Sequence, residues 1–266
     1  MTRMIVAGAG GRMGRMLVRA VSEAKGVELV GATESQGSLH VGDDTGVVAG
    51  IGETGVPVVS ELDALPEADA VIDFTAPAAT LEMARYAAEK GLRMVIGTTG
   101  FSDDESVRLR DTLKDLPVVM ASNYSVGVTL ALQLIRQAAA VLGAEYDAEI
   151  IEAHHRHKVD APSGTALSMG QSVAEGRGVD LKQAAVYARE GVTGPRQSGD
   201  IGFAVIRAGS IVGEHTAMFA GDEERLEIRH VASDRMAFAR GAVRAADWLM
   251  MQDRGWYDMR DVLGLT

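Results

Sequence analysis

A glycine-rich turn near the N-terminus places the strongest restriction on how this chain can fold. The turn comprises Gly8-Ala9-Gly10-Gly11-Arg12-Met13-Gly14, between an apolar stretch and a run of residues at helical spacing. Its pattern is G-x-x-G-x-x-G, because Met13 occupies the third glycine position of the commoner G-x-G-x-x-G. Glycines permit a tight strand-to-helix turn of the kind that opens a doubly wound parallel sheet. The segment is therefore predicted to be the first βα turn of such a sheet.

Short apolar stretches continue to alternate with helical patterns through the first half of the chain. Continuous Val, Ile and Ala content is typical of strands that are covered on both faces, as in a parallel sheet. Between these stretches, the segment Gln36–Thr54 is rich in glycine and polar residues and is interpreted as a long surface excursion. The predicted strands are Met4–Gly8, Val27–Ala32, Ala70–Phe74, Arg93–Gly97 and Pro117–Ala121.

The pattern changes near Ser125, where a helix over Val128–Leu142 is followed by stretches joined by glycine turns, which favours a more antiparallel sheet. A last helix over Arg235–Met251 is expected to return to the first domain. The predicted fold class is α/β, an N-terminal doubly wound Rossmann-type parallel sheet plus a central α+β domain with a mixed, largely antiparallel sheet. We place one domain at 1–125 plus 235–266 and a second at 126–234.

The glycine turn and Glu34 together predict a dinucleotide site. Backbone N–H groups at the start of the helix can approach a pyrophosphate, and Glu34, at the end of the second strand, is placed to accept hydrogen bonds from the ribose hydroxyls. The competing interpretation is a glycine-rich turn beside an incidental surface glutamate. Glu34 would repel a 2′-phosphate unless a cation lay close, and Ser35 carries no charge, so NADH is weakly favoured over NADPH. Two further loops, Gly97–Gly100 and Ala121–Tyr124, fall at the predicted carboxyl edge of the sheet, where ligands bind. For each of them the competing interpretation is an ordinary connecting loop.

A basic cluster, His154-His155-Arg156-His157-Lys158, predicts acid–base chemistry in the second domain. Histidine exchanges protons near neutral pH, and a lysine ammonium can pair with a carboxylate. Ser163-Gly164-Thr165 then reads as a helix N-cap region whose N–H groups suit a substrate carboxylate. Three alternatives compete: a solvated basic edge, a metal site of His154, His155 and His157, and a capping motif without a ligand.

Composition narrows the possible partners. Lys and Arg total 26 and Asp and Glu total 37, so the net charge is −11, which argues against nucleic acid as a partner. There is no cysteine, hence no thiolate nucleophile and no zinc–thiolate site. With no signal-peptide pattern and no apolar run of the roughly 18 residues that a membrane span needs, we expect a soluble cytoplasmic protein without a membrane partner. Tyr86 and Lys90 match the Tyr-x-x-x-Lys dyad of short-chain dehydrogenases, but are interpreted as helix packing and a solvated helix end.

The chain resembles the dihydrodipicolinate reductase (4-hydroxy-tetrahydrodipicolinate reductase) family over essentially its full length. The likeness is carried above all by the run from His154 to Thr165. It extends to Gly8–Gly14, Asp73-Phe74-Thr75, Gly97–Gly100, Ala121–Gly127, Gly202-Phe203, Gly213-Glu214-His215-Thr216 and Phe238–Asp261. The resemblance implies NAD(P)H-dependent reduction of 4-hydroxy-tetrahydrodipicolinate with loss of water, in the diaminopimelate route to lysine. It also implies a small dicarboxylate substrate. The domain at 1–125 plus 235–266 would then be the dinucleotide-binding domain, and the domain at 126–234 would be the substrate-binding and oligomerisation domain that builds a homotetramer.

Roles for individual residues come from the same resemblance. It implies that His154 is the acid/base histidine and Lys158 the proton donor, and that the substrate is bound by His155, Lys158, Ser163, Gly164 and Thr165. No metal site is predicted, because neighbouring strand positions in the histidine cluster point apart. Many family members have Arg where this chain has Ser35, and that arginine helps to bind a 2′-phosphate. The implied cofactor-binding residues are Gly8, Ala9, Gly10, Gly11, Arg12, Met13, Glu34, Gly97, Thr98, Thr99, Ala121, Ser122, Asn123 and Tyr124.

Two other functions remain as alternatives at this point. An aldehyde-oxidising dehydrogenase of similar architecture would need a cysteine for its thioester intermediate, and the chain has none. A non-catalytic dinucleotide sensor would explain the glycine turn but not the neighbouring proton donors and anion-binding loop.

Overall fold

The computed structural model describes residues 1–265, which form two compact units. The first unit contains Met1–Val126 together with residues 235–265, and the second contains Gly127–Asp234. The chain therefore leaves the first unit, builds the second and then returns to complete the first.

The first unit is built on a sheet whose strand pairings within the described residues are all parallel. The central strands β1, β4 and β5 are almost wholly buried because helices cover both faces, which explains their unbroken apolar sequences. This confirms the predicted doubly wound parallel sheet. In spatial order the strands are β12 (Gly255–Tyr257), β6 (Pro117–Met120), β5 (Arg93–Ile96), β4 (Ala70–Asp73), β1 (Thr2–Ala7), β2 (Val27–Thr33) and β3 (Val58–Val59).

The helices of the first unit bury one apolar stripe each. In α1, Leu17, Val18 and Val21 face the core while Arg15 and Arg19 face solvent, the division expected of an amphipathic helix. Pro77 occupies the first turn of α3, where its missing N–H is tolerated. The helices are α1 (Arg12–Glu23), α2 (Thr45–Ala49), α3 (Pro77–Lys90), α4 (Asp103–Thr112), α8 (Met236–Leu249) and α9 (Met259–Leu263), with a short 3₁₀ turn at Leu62–Ala64.

The interpretation of Gln36–Thr54 as a surface excursion is wrong in part, because the segment contains α2. Asp44 caps this helix by accepting hydrogen bonds from the backbone N–H groups of Gly46 (2.8 Å) and Val47 (3.1 Å). Val48 then packs into the core of the sheet. This cap stabilises a short helix in a segment whose glycine-rich composition suggested a loop.

The second unit is a mixed sheet, as predicted, with β10 antiparallel to β7 and β11, and β9 parallel to β7 and β8. Along β7 the side chains alternate, so Ala148, Ile150, Glu152 and His154 share the buried face. The spatial order is β11 (Arg225–Ala232), β10 (Gly213–Ala220), β7 (Asp147–His154), β9 (Ile201–Arg207) and β8 (Ala185–Val186). The helices are α5 (Val126–Leu142), α6 (Gly164–Arg177) and α7 (Leu181–Ala184).

Side chains from α5, α6 and the buried face of this sheet form one hydrophobic core, which includes Ile135, Met169 and Phe219. Each such side chain is worth about 1.5–3 kcal/mol when removed from water. The core holds α6 against β7, so the N-terminus of the helix lies near the end of the strand. None of the helices in residues 1–265 is long and apolar enough to cross a membrane.

Candidate active site

The glycine turn of the first unit joins β1 to α1 through tightly packed backbone. Gly8 adopts φ of 68°, a left-handed conformation that favours glycine, and its carbonyl accepts a hydrogen bond from the Gly11 N–H at 3.0 Å. A Cβ at Gly14 would overlap the Gly8 carbonyl and the backbone of Ala9. The helix N-terminus at Arg12 has no side-chain cap, so its amide donors remain suited to an anion.

Glu34 lies at this turn, just beyond the end of β2. Its Oε1 accepts a hydrogen bond from the Gly10 N–H at 2.9 Å, and its Oε2 accepts one from the Ser35 N–H at 3.1 Å. These two backbone donors hold the carboxylate against the turn. Glu34, which the sequence predicted as a ribose ligand, therefore lies beside the glycine turn.

Two basic side chains that sequence reasoning missed also surround Gly10. Arg15 donates from Nε to the Gly10 carbonyl at 3.0 Å, and its Nη2 lies 3.1 Å from Nε2 of His40. A Cβ on Gly10 would lie 2.7 Å from the His40 ring and 3.0 Å from Glu34 Oε1. His40 belongs to the segment interpreted as a surface excursion, and no local signal tied that segment to the turn.

Polar side chains connect the carboxyl ends of β4 and β5. Thr98 is buried, and its hydroxyl accepts hydrogen bonds from the Thr75 N–H (3.0 Å) and the Thr80 hydroxyl (2.8 Å). Asp73 accepts from the Thr75 hydroxyl at 2.6 Å, and burial raises the pKa of this carboxyl. The network fixes the position of the Gly97–Thr99 segment at the sheet edge.

A cavity of about 680 Å³ opens beside the same edge of the first unit. Thr98, Thr99, Ala121 and Ser122, all predicted cofactor residues, contribute to its wall. Tyr124 differs, because its ring is buried against Phe74 and its hydroxyl reaches the carbonyls of Ile96 and Val119. Any contact of Tyr124 with a cofactor would go through its main chain. The further lining residues, to which the sequence gave no role, include Arg110, Trp256, Tyr257 and Arg260.

In the second unit, β7 ends at His154, at the start of the basic cluster. The strand alternation that would separate the cluster onto two faces therefore stops, and residues 155–163 form a loop that leads into α6. His154 is nearly buried, whereas Arg156 and His157 are exposed. The Lys158 Nζ pairs with Asp160 Oδ1 at 2.8 Å, and this hydrogen bond lowers the pKa of Asp160.

Ser163 caps α6, as predicted. Its Oγ accepts a hydrogen bond from the Ala166 N–H at 3.2 Å. Next to it, a Cβ on Gly164 would meet nothing within 4 Å, so the first turn of the helix is open on that side. An open helix N-terminus carries partial positive charge and free amide donors, which suit a carboxylate.

Buried charged and polar groups that the sequence gave no role converge on His154. Glu152 Oε2 lies 2.6 Å from His154 Nδ1 and 2.7 Å from Arg207 Nη1, while Oε1 receives Arg207 Nη2 at 2.8 Å and the Ser163 N–H at 3.0 Å. His215 packs edge-on against the His154 ring, with ring centroids 5.0 Å apart. The period-two alternation along β7 could have predicted that Glu152 lies on the buried face with His154. Arg207 and His215 come close only because β9 and β10 pair with β7, which the sequence does not reveal.

The electrostatics of this cluster follow from burial. Burial opposes ionisation of Glu152, but hydrogen bonds from Arg207, His154 and the Ser163 N–H outweigh it and lower the pKa of the carboxyl. Burial, with the nearby His154, lowers the pKa of His215 to about 4, so His215 is neutral at physiological pH. Within residues 1–265 no group of three or more His, Asp or Glu side chains is arranged to hold a metal ion.

Comparison with known proteins identifies the family. The model described as "Dihydrodipicolinate reductase, N-terminus" matches residues 2–124, and the one described as "Dihydrodipicolinate reductase, C-terminus" matches residues 127–263. Among solved structures, a dipicolinate-bound dihydrodipicolinate reductase from Paenisporosarcina sp. TG-14 is 25% identical, with 97% of each chain covered and a TM-score of 0.76.

More distant structures share the fold. An amine dehydrogenase from Mycobacterium smegmatis is 16% identical, covering 96% of this chain and 94% of its own, with a TM-score of 0.64. A probable dehydrogenase from Thermotoga maritima is 9% identical, covering 98% and 92%, with a TM-score of 0.61.

The parallel sheet with its glycine turn, taken with both family matches, defines an NAD(P)H-dependent oxidoreductase. That class contains many substrate specificities on one architecture, and the matches extend through both units. The chain belongs to the dihydrodipicolinate reductase family. It reduces the dihydrodipicolinate intermediate of lysine biosynthesis, and the alternative of a non-catalytic dinucleotide sensor is set aside.

Proposed function

We propose that the first unit binds NADH or NADPH at its glycine turn, and that the second unit binds the dicarboxylate substrate at the end of β7 and the start of α6. Backbone packing supports the first assignment, since a Cβ at Gly14 would overlap the turn that a pyrophosphate must approach. The proposed cofactor residues are Gly8, Ala9, Gly10, Gly11, Arg12, Met13, Glu34, Gly97, Thr98, Thr99, Ala121, Ser122, Asn123 and Tyr124.

Each part of the first unit has a separate task. When bound, NAD(P)H supplies the hydride. The N-terminal amides of α1 balance the charge of the pyrophosphate, and Glu34, already oriented by Gly10, accepts hydrogen bonds from the ribose hydroxyls. Thr98, fixed by Thr75 and Thr80, holds its segment at the edge of the sheet.

One observation carries the assignment of the second unit: a single carboxylate, Glu152, binds both His154 and the Ser163 amide at the start of α6. A proton-exchanging group and an anion-binding helix terminus are thereby fixed close together. The helix terminus with Ser163, Gly164 and Thr165 receives a substrate carboxylate, and His155 and Lys158 add to the same binding site. The dipicolinate that the Paenisporosarcina relative binds is a dicarboxylate of this kind.

The basic cluster carries out the proton transfers of the reduction. Hydride addition to the ring carbon conjugated with the substrate imine moves an electron pair toward the nitrogen, which leaves an enamine that must be protonated. Lys158 donates that proton, and His154, with Nδ1 engaged by Glu152, exchanges protons through its other ring nitrogen. The positive charge of the Lys158 ammonium also stabilises the anionic character that develops on the substrate.

Replacing Thr165 with valine tests the proposed dicarboxylate site. The substitution keeps the shape and removes the hydroxyl, so we expect the Kd for dipicolinate to rise about 5- to 15-fold, equivalent to about 1–1.5 kcal/mol for one hydrogen bond. Isothermal titration calorimetry measures it directly. Thr112→Val, on α4 of the other unit, is the matched control. Equal dipicolinate affinity in wild type and Thr165→Val would remove Thr165 from the site.

Cofactor preference depends on the charges around Glu34. Arg15 supplies a nearby cation of the kind whose absence would have argued against a 2′-phosphate. Ser35 still adds no charge where an arginine is common in the family. We therefore propose that both cofactors are used, with the Glu34-Ser35 pair favouring NADH.

Replacing Ser35 with arginine is expected to raise the ratio of kcat/KM for NADPH to that for NADH by about 10-fold or more, because a charge-assisted hydrogen bond to phosphate contributes about 1.5–3 kcal/mol. Steady-state kinetics with both cofactors measure the ratio. Ser22→Arg adds the same charge at the far end of α1 and should leave the ratio unchanged. An unaltered ratio in Ser35→Arg would contradict the role given to this position.

We also propose that the enzyme is a cytoplasmic homotetramer. The open face of the second unit's sheet supports assembly, because Ile206 and Val231 lie in one cross-strand row there and are each 48% exposed. Sedimentation equilibrium at micromolar concentration should give four times the 28.1 kDa chain mass. A monomer mass would exclude the tetramer, and fractionation of the source cells tests the compartment.

A further inference from the structure

Glu152 is a carboxylate on the buried face of the second unit's sheet, directly beside the proposed acid/base histidine. The residue is 1% exposed. Each of its oxygens has two partners: Oε2 binds His154 Nδ1 and Arg207 Nη1, and Oε1 binds Arg207 Nη2 and the Ser163 N–H. A buried carboxylate so fully satisfied is a fixed element of the structure rather than a group that changes partners.

The contact to His154 determines which ring nitrogen carries the proton. An ionised carboxylate can only accept hydrogen bonds, so His154 must donate from Nδ1 across the 2.6 Å contact. In the neutral imidazole, Nε2 is then the atom that takes and gives protons. That atom lies beside Gly213, where a Cβ would be 3.1 Å away, so a larger residue there would crowd it.

Arg207 provides the charge balance that allows a carboxylate at this depth. Its two terminal nitrogens form a fork on both oxygens of Glu152, the geometry that best stabilises a buried ion pair. Nη2 also donates to the Asp160 carbonyl at 2.6 Å, and Asp160 pairs through its side chain with Lys158. The same arginine therefore connects Glu152 to the loop that carries the proposed proton donor.

Ser163 extends the network to the helix. Its N–H donates to Glu152, its Oγ accepts from the Ala166 N–H, and the same Oγ lies 2.8 Å from Nε2 of the neutral His215. The position of the α6 N-terminus is thereby fixed against the carboxylate that holds His154. The apolar core also joins α6 to β7, so these hydrogen bonds act in addition to hydrophobic packing.

We propose that Glu152 is a positioning residue for the reduction: it holds His154 as the Nδ1–H tautomer and keeps the proton-exchanging nitrogen in register with the carboxylate-binding end of α6. This rests on the proposed role of His154. The charged and titratable groups around Glu152 are His154 from β7, Arg207 from β9, His215 and then His230 along the same cross-strand row, and Lys158 with Asp160 from the loop.

The test compares wild type with Glu152→Gln. The amide retains the shape but offers an N–H donor, so His154 is expected to change to the Nε2–H tautomer and kcat to fall at least about 10-fold, with KM for the cofactor within about twofold. Because the amide removes the negative charge beside the proton-exchanging group, a limb of the kcat/KM pH profile should move to lower pH. Glu152→Asp, which keeps the charge, should leave that limb near its wild-type position.

The ¹⁵N shifts of His154 in the wild-type protein provide a measurement that does not depend on the folding of a variant. An Nδ1–H signature is expected, and an Nε2–H signature in wild type would overturn the proposal. So would a Glu152→Gln protein with unchanged kcat and pH profile. A purely structural role would lower the Tm of Glu152→Gln without moving the pH limb. Unchanged turnover in His154→Ala would contradict the proposed acid/base role of His154. Reduced turnover in His154→Ala with unchanged Glu152→Gln would contradict only the positioning role of Glu152.

Discussion

Replacing His154 with alanine is expected to lower kcat by about 10²–10⁴, the range that general acid–base catalysis contributes. The reason is geometric: β7 ends at this residue, Glu152 engages Nδ1, and the ring keeps its second nitrogen for proton exchange. Stopped-flow and steady-state assays at the nicotinamide absorbance band, with freshly formed substrate and NADH or NADPH, measure the loss.

Cofactor affinity should change little, because the glycine turn belongs to the first unit. His157→Ala is the matched control, since this exposed histidine lies three residues further on, is in contact with the His155 ring and has no proposed role. Circular dichroism and Tm confirm that both variants fold. Wild-type turnover in His154→Ala would remove the residue from the acid/base role.

Replacing Lys158 with alanine should reduce kcat and raise KM for the substrate together. A lost charge-assisted hydrogen bond to a carboxylate costs about 1.5–3 kcal/mol, which corresponds to a rise in KM of about 10- to 100-fold, and the lost proton donor should lower kcat by about 10²-fold or more. Asp160 pairs with Lys158 in the free enzyme, so the ammonium is held near the start of α6 before substrate arrives.

Lys90→Ala serves as the control for Lys158. Lys90 lies at the end of α3, pairs with Glu89 and rests over the Tyr86 ring, as a helix-terminal lysine should. Its loss should leave both kinetic constants unchanged. If Lys158→Ala behaved the same way, Lys158 would be a surface residue and the proton would have to come from elsewhere.

The long, doubly covered strands were predictable because their sequences are continuously apolar. The bounds of β1, β2, β4, β5 and β6 differ from the predicted ones by one or two residues. The short edge strands β3, β8 and β12 were not predicted, since two or three residues contain no periodicity. Helix α2 was missed for a different reason. The glycine-rich composition suggested a loop, but the hydrogen bonds that Asp44 accepts stabilise a helix start.

The candidate site was predictable wherever its residues are close in sequence. The turn from Gly8 to Gly14 and the run from His154 to Thr165 are local motifs. Arg207 and His215 reach Glu152 through the register of β9 and β10 against β7, which no local pattern encodes. His40 likewise meets Arg15 only after the chain has folded back over the turn.

The return of the chain to its first unit has a consequence for biosynthesis. On the ribosome, residues 1–126 emerge before their sheet can gain β12 at its edge, and before α8 can place Ala242, Ala245 and Ala246 in the core beside α1. The second unit, contiguous from Gly127 to Asp234, has all its strands available earlier. During translation every strand of the second unit is therefore synthesised before α8, β12 and α9 of the first unit.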